Sequence, residues 1–305
     1  MHSRYASVDV GSTATRFLIR EILEDEPVYN PAPARPADYS ARFPIPVGES
    51  VALTGYISTN LQQQLLACFK QIRLCILARQ VDRYRAVATA SFRNATNGAA
   101  VVNEIEAKTG IHVEIISGIE EARLSLYSYL AQSESDGKAV LLVDVGGLST
   151  DVSMQSPETT QPSTWSFNVG TLRPLTSPQY ANIVDEISQT IEQATHKNPN
   201  LRLIGTGGSI HYLARLWGDR RSLRENTGEI LTLTACNNAI TQTTPLSVEQ
   251  RMHSFGLSRL RARTIMHGAS IYKRILESAR RPYIEAPDIG VRHGIICQLM
   301  HHAPL

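Results

Sequence analysis

A chain of 305 residues with 42% hydrophobic content has enough apolar mass to bury the cores of two ordinary domains. Its formal charge of +2 is too mild for a protein built around nucleic acid, and no apolar run reaches the length of a membrane span. Cys68, Cys75, Cys236 and Cys297 show no C-x-x-C spacing, and the nine histidines no H-E-x-x-H pattern, which argues against a disulfide framework or a zinc site and for a cytoplasmic protein with reduced thiols.

Strands are expected at 5–10 and 14–22, followed by a proline-rich stretch from Pro27 to Pro46 that is unsuited to helix. Ser58 or Thr59 then opens a helix whose apolar residues Leu61, Leu65, Cys68, Phe69, Ile72 and Ile76 recur at three and four. A buried strand at 85–89, a helix at 99–108 closed by Gly110 and a strand at 112–116 come next. Ser117-Gly118 breaks that strand, and Glu120-Glu121, at the lobe boundary, begins a helix running to about Gln132. The second half repeats the plan with strands at 139–144, 150–155 and 164–169, a helix striped by Ile183, Ile187 and Ile191, a strand at 201–205 and a helix at 210–217. Ser247-Val248-Glu249-Gln250 is a capping box, 259–278 makes the last long helix, and Arg292-His293-Gly294 leads a short C-terminal one. This alternation predicts an α/β protein of two lobes, 1–120 and 121–290, with the C-terminal helix of about 291–305 packing back on the first.

The chemistry is concentrated in a repeat. Val8-Asp9-Val10-Gly11-Ser12-Thr13 returns as Val143-Asp144-Val145-Gly146-Gly147-Leu148-Ser149-Thr150, each copy between two apolar runs, so a strand, a tight turn and a second strand are made twice. Glycine lets a ligand approach the backbone amides, Ser and Thr add hydroxyl donors, and an Asp at a strand end can hold a cation. A third loop, Gly205-Thr206-Gly207-Gly208-Ser209, joins a strand to a helix and points its amides where anions are favoured. Of Glu120 and Glu121, one is expected to be a dipole-favoured surface acid and the other to orient or deprotonate a water for attack on phosphorus. Thr89, Arg93 and Asn97 stand four apart and are expected to share one helical face, with Arg93 on phosphate. Lys occurs only at 70, 108, 138, 197 and 273, so 25 of the 30 basic residues are Arg, whose forks match phosphate oxygens.

Six segments in order, VDVGSTATRFLI (8–19), ATASFRNATN (88–97), TGIHVEIISGIEEARL (109–124), LLVDVGGLSTDVSM (141–154), GTGGSI (205–210) and VRHGII (291–296), resemble the exopolyphosphatase and guanosine pentaphosphate phosphatase (Ppx/GppA) family over nearly the whole chain. The resemblance implies the actin-like ATPase-domain (ribonuclease H-like) fold, with two lobes enclosing a cleft. It also implies metal-assisted hydrolysis of a terminal phosphoanhydride, with Mg²⁺ the usual ion and Mn²⁺ its substitute. On this sequence the catalytic carboxylate falls on Glu121, the metal-holding Asp on Asp144, the acid closing that loop on Asp151 and the phosphate-binding Arg on Arg93. The loop donors fall on Gly146, Gly147, Ser149 and Thr150; Asp9, Gly11, Ser12 and Thr13 fill the first loop, with Asp9 and Asp151 candidate metal ligands beside Asp144, and Gly207, Gly208 and Ser209 fill the third.

Two departures stand out: Leu148 replaces the third glycine usual in the family's second loop, and Asp151 replaces a Glu. If Leu148 occupies a positive-φ position it strains the turn. The leading expectation is an exopolyphosphatase acting on inorganic polyphosphate, with pppGpp 5′-phosphohydrolase as a second enzymatic reading and a binding module without turnover as a third. The family resemblance further implies a homodimer. Three arginine groups, Arg220, Arg221 and Arg224; Arg259, Arg261 and Arg263; and Arg280, Arg281 and Arg292, are candidates for guiding a long polyanion.

Overall fold

Each copy of the Asp-Val-Gly repeat opens a sheet, and the two sheets are wired alike. The computed structural model describes residues 2–23, 38–133, 135–173, 178–218 and 229–301. The first sheet and its helices run β1 (His2–Val10), β2 (Thr15–Leu23), β3 (Tyr39–Phe43), α1 (Val47–Thr54), α2 (Thr59–Ala78), β4 (Arg83–Ala88), α3 (Ala90–Asn94), α4 (Gly98–Thr109), β5 (Val113–Ile115) and α5 (Gly118–Leu130). Its strand order is β3-β2-β1-β4-β5, antiparallel through the first three strands and parallel through the last three.

The second runs β6 (Val140–Val145), β7 (Thr150–Gln155), β8 (Ser163–Phe167), α6 (Pro178–Lys197), β9 (Arg202–Thr206), α7 (Gly208–Trp217), β10 (Glu229–Thr232), α8 (Leu233–Thr243), α9 (Val248–Phe255), α10 (Arg259–Ala279) and β11 (Tyr283–Ala286). Read from the other edge its order is β8-β7-β6-β9-β11, the same plan, with antiparallel β10 added beyond β11. The α/β, ribonuclease H-like arrangement expected from the sequence is therefore present twice.

Two compact units result: 1–135 with 289–305, and 136–288. The division lies after α5 rather than at 120, and its physical reason is α11 (Val291–His301). A Cβ on Gly294 of that helix would come 2.1 Å from the Leu124 carbonyl oxygen of α5, so the two backbones touch and only glycine fits. Leu124 shares a core with Val87, Ile116, Val291, Ile295 and Leu299, and burying each such side chain contributes about 1.5–3 kcal/mol. The helix that carries Glu120 and Glu121 thus belongs to the first unit.

Elsewhere local signals act as written. The stripe Leu61, Leu65, Cys68, Phe69, Ile72 and Ile76 buries one face of α2, although the Ser58 hydroxyl makes no capping bond. Ser247 and Gln250 form both bonds of the capping box at α9. The Pro27–Pro46 stretch lies partly outside the described residues; its described end forms edge strand β3, and Pro46 is the N-cap of α1. All four cysteines are free thiols, and burial pushes Cys68 and Cys236 up to about 12.

Candidate active site

In the first unit, β1 delivers Asp9 to the sheet end, nearly buried, and the hairpin register places Arg16 directly opposite. Arg16 Nη1 donates to Asp9 Oδ2 at 3.4 Å. Burial pushes the Asp9 carboxyl above the ordinary aspartate range, while Arg16 and Arg292 pull it partly back. The turn closes through Gly11 N–H donating to the Ala14 carbonyl at 3.1 Å. Ser12 is tied on both sides: its hydroxyl accepts from Ser91 Oγ at 2.8 Å and its carbonyl accepts from Gly48 N–H at 2.8 Å. Thr13 is half-buried at the tip.

Thr89, Arg93 and Asn97 do not share a helical face. Helix α3 stops at Asn94 because Ala95 is extended, and Asn97 instead clasps Ile57, accepting from its N–H at 2.9 Å and donating to its carbonyl at 3.0 Å. Thr89 holds the end of β1 through the Val10 carbonyl. Arg93 alone of the three reaches an acid: its Nη1 donates to Glu121 Oε2 at 2.8 Å and to the Ile116 carbonyl at 2.9 Å. The neighbouring glutamate is bound differently. Arg85 Nη2 donates to Glu120 Oε1 at 2.5 Å, and the same guanidinium holds Glu114 at 2.7 Å and Gln298 at 2.7 Å. Adjacent acids on α5 therefore point to separate arginines.

In the second unit the equivalent hairpin has the opposite electrostatics. Asp144 of β6 faces Asp151 of β7, Asp151 faces Ser166 of β8, and Asp144 faces Thr206 of β9, so the four side chains form one row on one face of the sheet. Asp151 is buried, accepting from Ser149 Oγ at 3.2 Å on Oδ2 and from Ser166 Oγ at 2.5 Å on Oδ1. Gly146 N–H donates to the Ser149 carbonyl at 2.9 Å, the bond that Gly11 makes in the first copy. The Gly146 and Gly147 carbonyls accept from Thr171 and Leu172 N–H at 3.1 and 2.8 Å, fixing those peptide planes from one side. Thr150, expected among the loop donors, commits its hydroxyl to the Val169 carbonyl at 2.8 Å.

Leu148 is fully buried, and its backbone is ordinary: Gln80 and Arg280 are the only non-glycine positions with positive φ among the described residues. The strain expected there does not exist. The third loop is laid against the end of β6. Gly207, at φ 101°, packs so closely that a Cβ would stand 2.5 Å from the Val145 carbonyl and 2.9 Å from Asp144 Oδ1, which brings Gly208 and Ser209 to the first turn of α7 beside the acidic row. Tyr272 supports the same corner by donating to the Thr206 carbonyl at 2.6 Å; burial, and then the charge of Asp144, push its phenol well up.

The arginine groups separate. Arg220, Arg221 and Arg224 lie outside the described residues. Arg261 is buried, donating to Ser209 Oγ at 2.7 Å over the Tyr212 ring, whereas Arg259 pairs with Glu249 at the surface and Arg263 is exposed. Arg281 is bonded to the Pro199 carbonyl in the second unit, while Arg292 lies near Asp9 in the first. Arg16, Ser91 and Ser166 were missed. The seven-residue spacing shared by Asp9–Arg16 and Asp144–Asp151 was the one available signal for the cross-strand partners.

As to a cation, among the described residues no three His, Cys, Asp or Glu side chains cluster to form a complete cage. Two opposed carboxylates nonetheless suit Mg²⁺, which takes one or two carboxylates and completes its shell with water and phosphate oxygens. Like charges directly opposite each other are unfavourable without such a counter-charge. Asp9, facing a guanidinium, fits a metal less well.

Comparison with known proteins gives the family and the fold. The Ppx/GppA phosphatase family matches residues 41–303. A guanosine-5′-triphosphate,3′-diphosphate pyrophosphatase of Photobacterium profundum is 24% identical over 237 residues, covering 72% of this chain and 46% of that protein. One of Vibrio cholerae is 23% identical, covering 97% of this chain and 59% of that protein; the chain spans about half the length of these curated relatives. The Ppx/GppA family member of Aquifex aeolicus superposes with a TM-score of 0.74 at 22% identity over all of both chains. An exopolyphosphatase from Cytophaga hutchinsonii reaches 0.82 at 19% identity over 99% of both, a likeness of fold.

Proposed function

Because the chain belongs to the Ppx/GppA phosphatase family, we propose that it is a metal-dependent phosphoanhydride hydrolase releasing terminal orthophosphate from inorganic polyphosphate. The observation that carries this reading is the row at the end of β6, where Asp144, opposed by Asp151, lies against the Gly207–Ser209 loop. That is an oxygen-donor pair for a cation beside amides suited to phosphate. Asp144 and Asp151 are assigned to hold Mg²⁺, or Mn²⁺ in its place. When bound, the ion neutralises charge on the phosphate oxygens.

Glu121 takes the proton of the attacking water. Its bond from Arg93 holds the carboxylate still, and that bond uses only one of the guanidinium's terminal nitrogens. The water oxygen bonds to the terminal phosphorus, the bridging P–O bond breaks, and the shortened chain leaves with the electron pair on its new terminal oxygen. Ser12, Thr13 and Gly147 are assigned to phosphate contacts together with Gly207, Gly208 and Ser209, whereas the Gly11 and Gly146 N–H groups and the Ser149 hydroxyl are engaged within their own turns. Asp9 is reassigned from the metal to the holding of Arg16, which occupies its cross-strand position.

A second reading, hydrolysis of pppGpp, is favoured by the names of the two curated relatives and uses the same attack. The Leu148 departure is the sequence feature that favours a module without turnover, and Leu148 does not stand at a positive-φ position. A homodimer and a cytoplasmic location complete the proposal; among the described residues no helix is long and apolar enough to cross a membrane. The test is orthophosphate release by the purified chain with Mg²⁺, offered polyphosphates of several lengths, pppGpp and ATP. Release from polyphosphate is expected. Preference for pppGpp over every polyphosphate would install the second reading, and no release from any substrate would favour the binding module.

A further inference from the structure

Ser166 has no part in the chemistry assigned above, yet it stands in line with it. Strand β8 is the edge of the second sheet, and Trp165 and Phe167 on either side of Ser166 pack against the hydrophobic core. Alternation turns Ser166 to the other face, where its register partner is Asp151 and the partner of Asp151 is Asp144. Its hydroxyl donates to Asp151 Oδ1 at 2.5 Å, while Ser149 donates to Oδ2 at 3.2 Å. Each carboxylate oxygen therefore accepts a bond from a hydroxyl fixed on the sheet. Two hydroxyls on opposite oxygens restrain the plane of the group.

The side chain they hold is a short one. An aspartate carboxylate cannot reach far from its own strand, so its direction is decided by the bonds its neighbours offer. We infer that Ser166 is a positioning residue: by bonding Asp151 from the edge strand it keeps that carboxylate turned along the row toward Asp144, so that the two acids grip one divalent cation. The inference rests on the metal-dependent reading of this site, and it assigns a role to a strand that otherwise only closes the sheet. Groups that orient metal-ligating carboxylates typically contribute about 10–100-fold in metal affinity.

The test is Mn²⁺ binding to the whole chain without substrate, read from the electron paramagnetic resonance signal of free Mn²⁺, in the wild type and in Ser166→Ala, Ser166→Val and Ser166→Thr. Valine and threonine share shape and strand preference, so the comparison isolates the hydroxyl. Ala and Val are expected to weaken binding about tenfold while still unfolding cooperatively in EDTA, and Thr to restore it. Equal affinity in Ser166→Ala and wild type, equal weakening by Val and Thr, or no Mn²⁺ binding by the wild type would each overturn the inference. Intact Mn²⁺ binding that follows this series in a protein releasing no phosphate would leave the inference standing and sink the hydrolase reading alone.

Discussion

Glu121→Gln separates the chemistry of this site from its architecture. The amide keeps an oxygen for Arg93 Nη1 and nearly the same volume, but it loses the negative charge and cannot take a proton from water. The pair is largely buried, with 13% of the Glu121 side chain and 22% of Arg93 exposed. A hydrogen bond to a charged group in such a place contributes about 1.5–3 kcal/mol, of which Gln retains part, so a loss of about 1 kcal/mol and a drop in Tm of about 2–4 °C are expected. Turnover should fall about 10²–10⁴-fold, the usual contribution of a positioned general base. Glu120→Gln is the matched control. Arg85 keeps Glu114 and Gln298 when Glu120 is neutralised, and Glu120 is 34% exposed, so the cost should stay under about 1 kcal/mol with turnover near wild type. The assay is orthophosphate release from polyphosphate at saturating Mg²⁺, with calorimetry on the same samples. Comparable loss of turnover in both variants, or Glu121→Gln within about tenfold of wild type, would refute the assignment of the base.

Asp144→Asn should raise the Mg²⁺ midpoint for activity more than it raises KM, and it should stabilise the protein in EDTA by relieving the opposed charges; an unchanged midpoint would move the cation elsewhere. Leu148→Gly relieves no strain and empties a fully buried site, so calorimetry should show a loss of about 3–5 kcal/mol, and an unchanged or raised Tm would contradict the packing. Asp9 binds its proton more tightly folded than unfolded, so the wild type loses stability as pH rises from the ordinary aspartate value through the raised one, and above that the cost is constant. Asp9→Asn should abolish that slope in urea unfolding and gain on the wild type toward neutral pH; parallel pH profiles would count against the burial of a charged Asp9.

Much of the fold is legible in the residues themselves. Val8 and Val10, like Val143 and Val145, flank an Asp with period two and run into glycine, so two hairpins can be read from a dozen letters. Helix α2 follows from its stripe and α9 from its capping box because each signal lies wholly within or at the start of its own helix. Glu120 and Glu121, in contrast, are chemically identical letters on one helix, and their division of roles depends on Arg85 and Arg93 arriving from β4 and α3. Asn97 misled because a spacing of four presumes unbroken helix, whereas Ala95 turns the chain extended. At Leu148 the family's loop pattern suggests a glycine-like position, whereas φ is set by the turn this chain actually forms.

The sequence by itself determined the α/β class, the doubled strand-turn-strand plan and the identity of the acids, since these depend on periodicity and backbone preference among adjacent residues. Only the tertiary structure decided that α5 and α11 belong together, that Asp9 faces Arg16 while Asp144 faces Asp151, and that Ser166 closes the row. The reason is physical: a carboxylate's charge, orientation and partners are set by groups brought near it through sheet register and helix packing, and such groups carry no mark of that proximity along the chain.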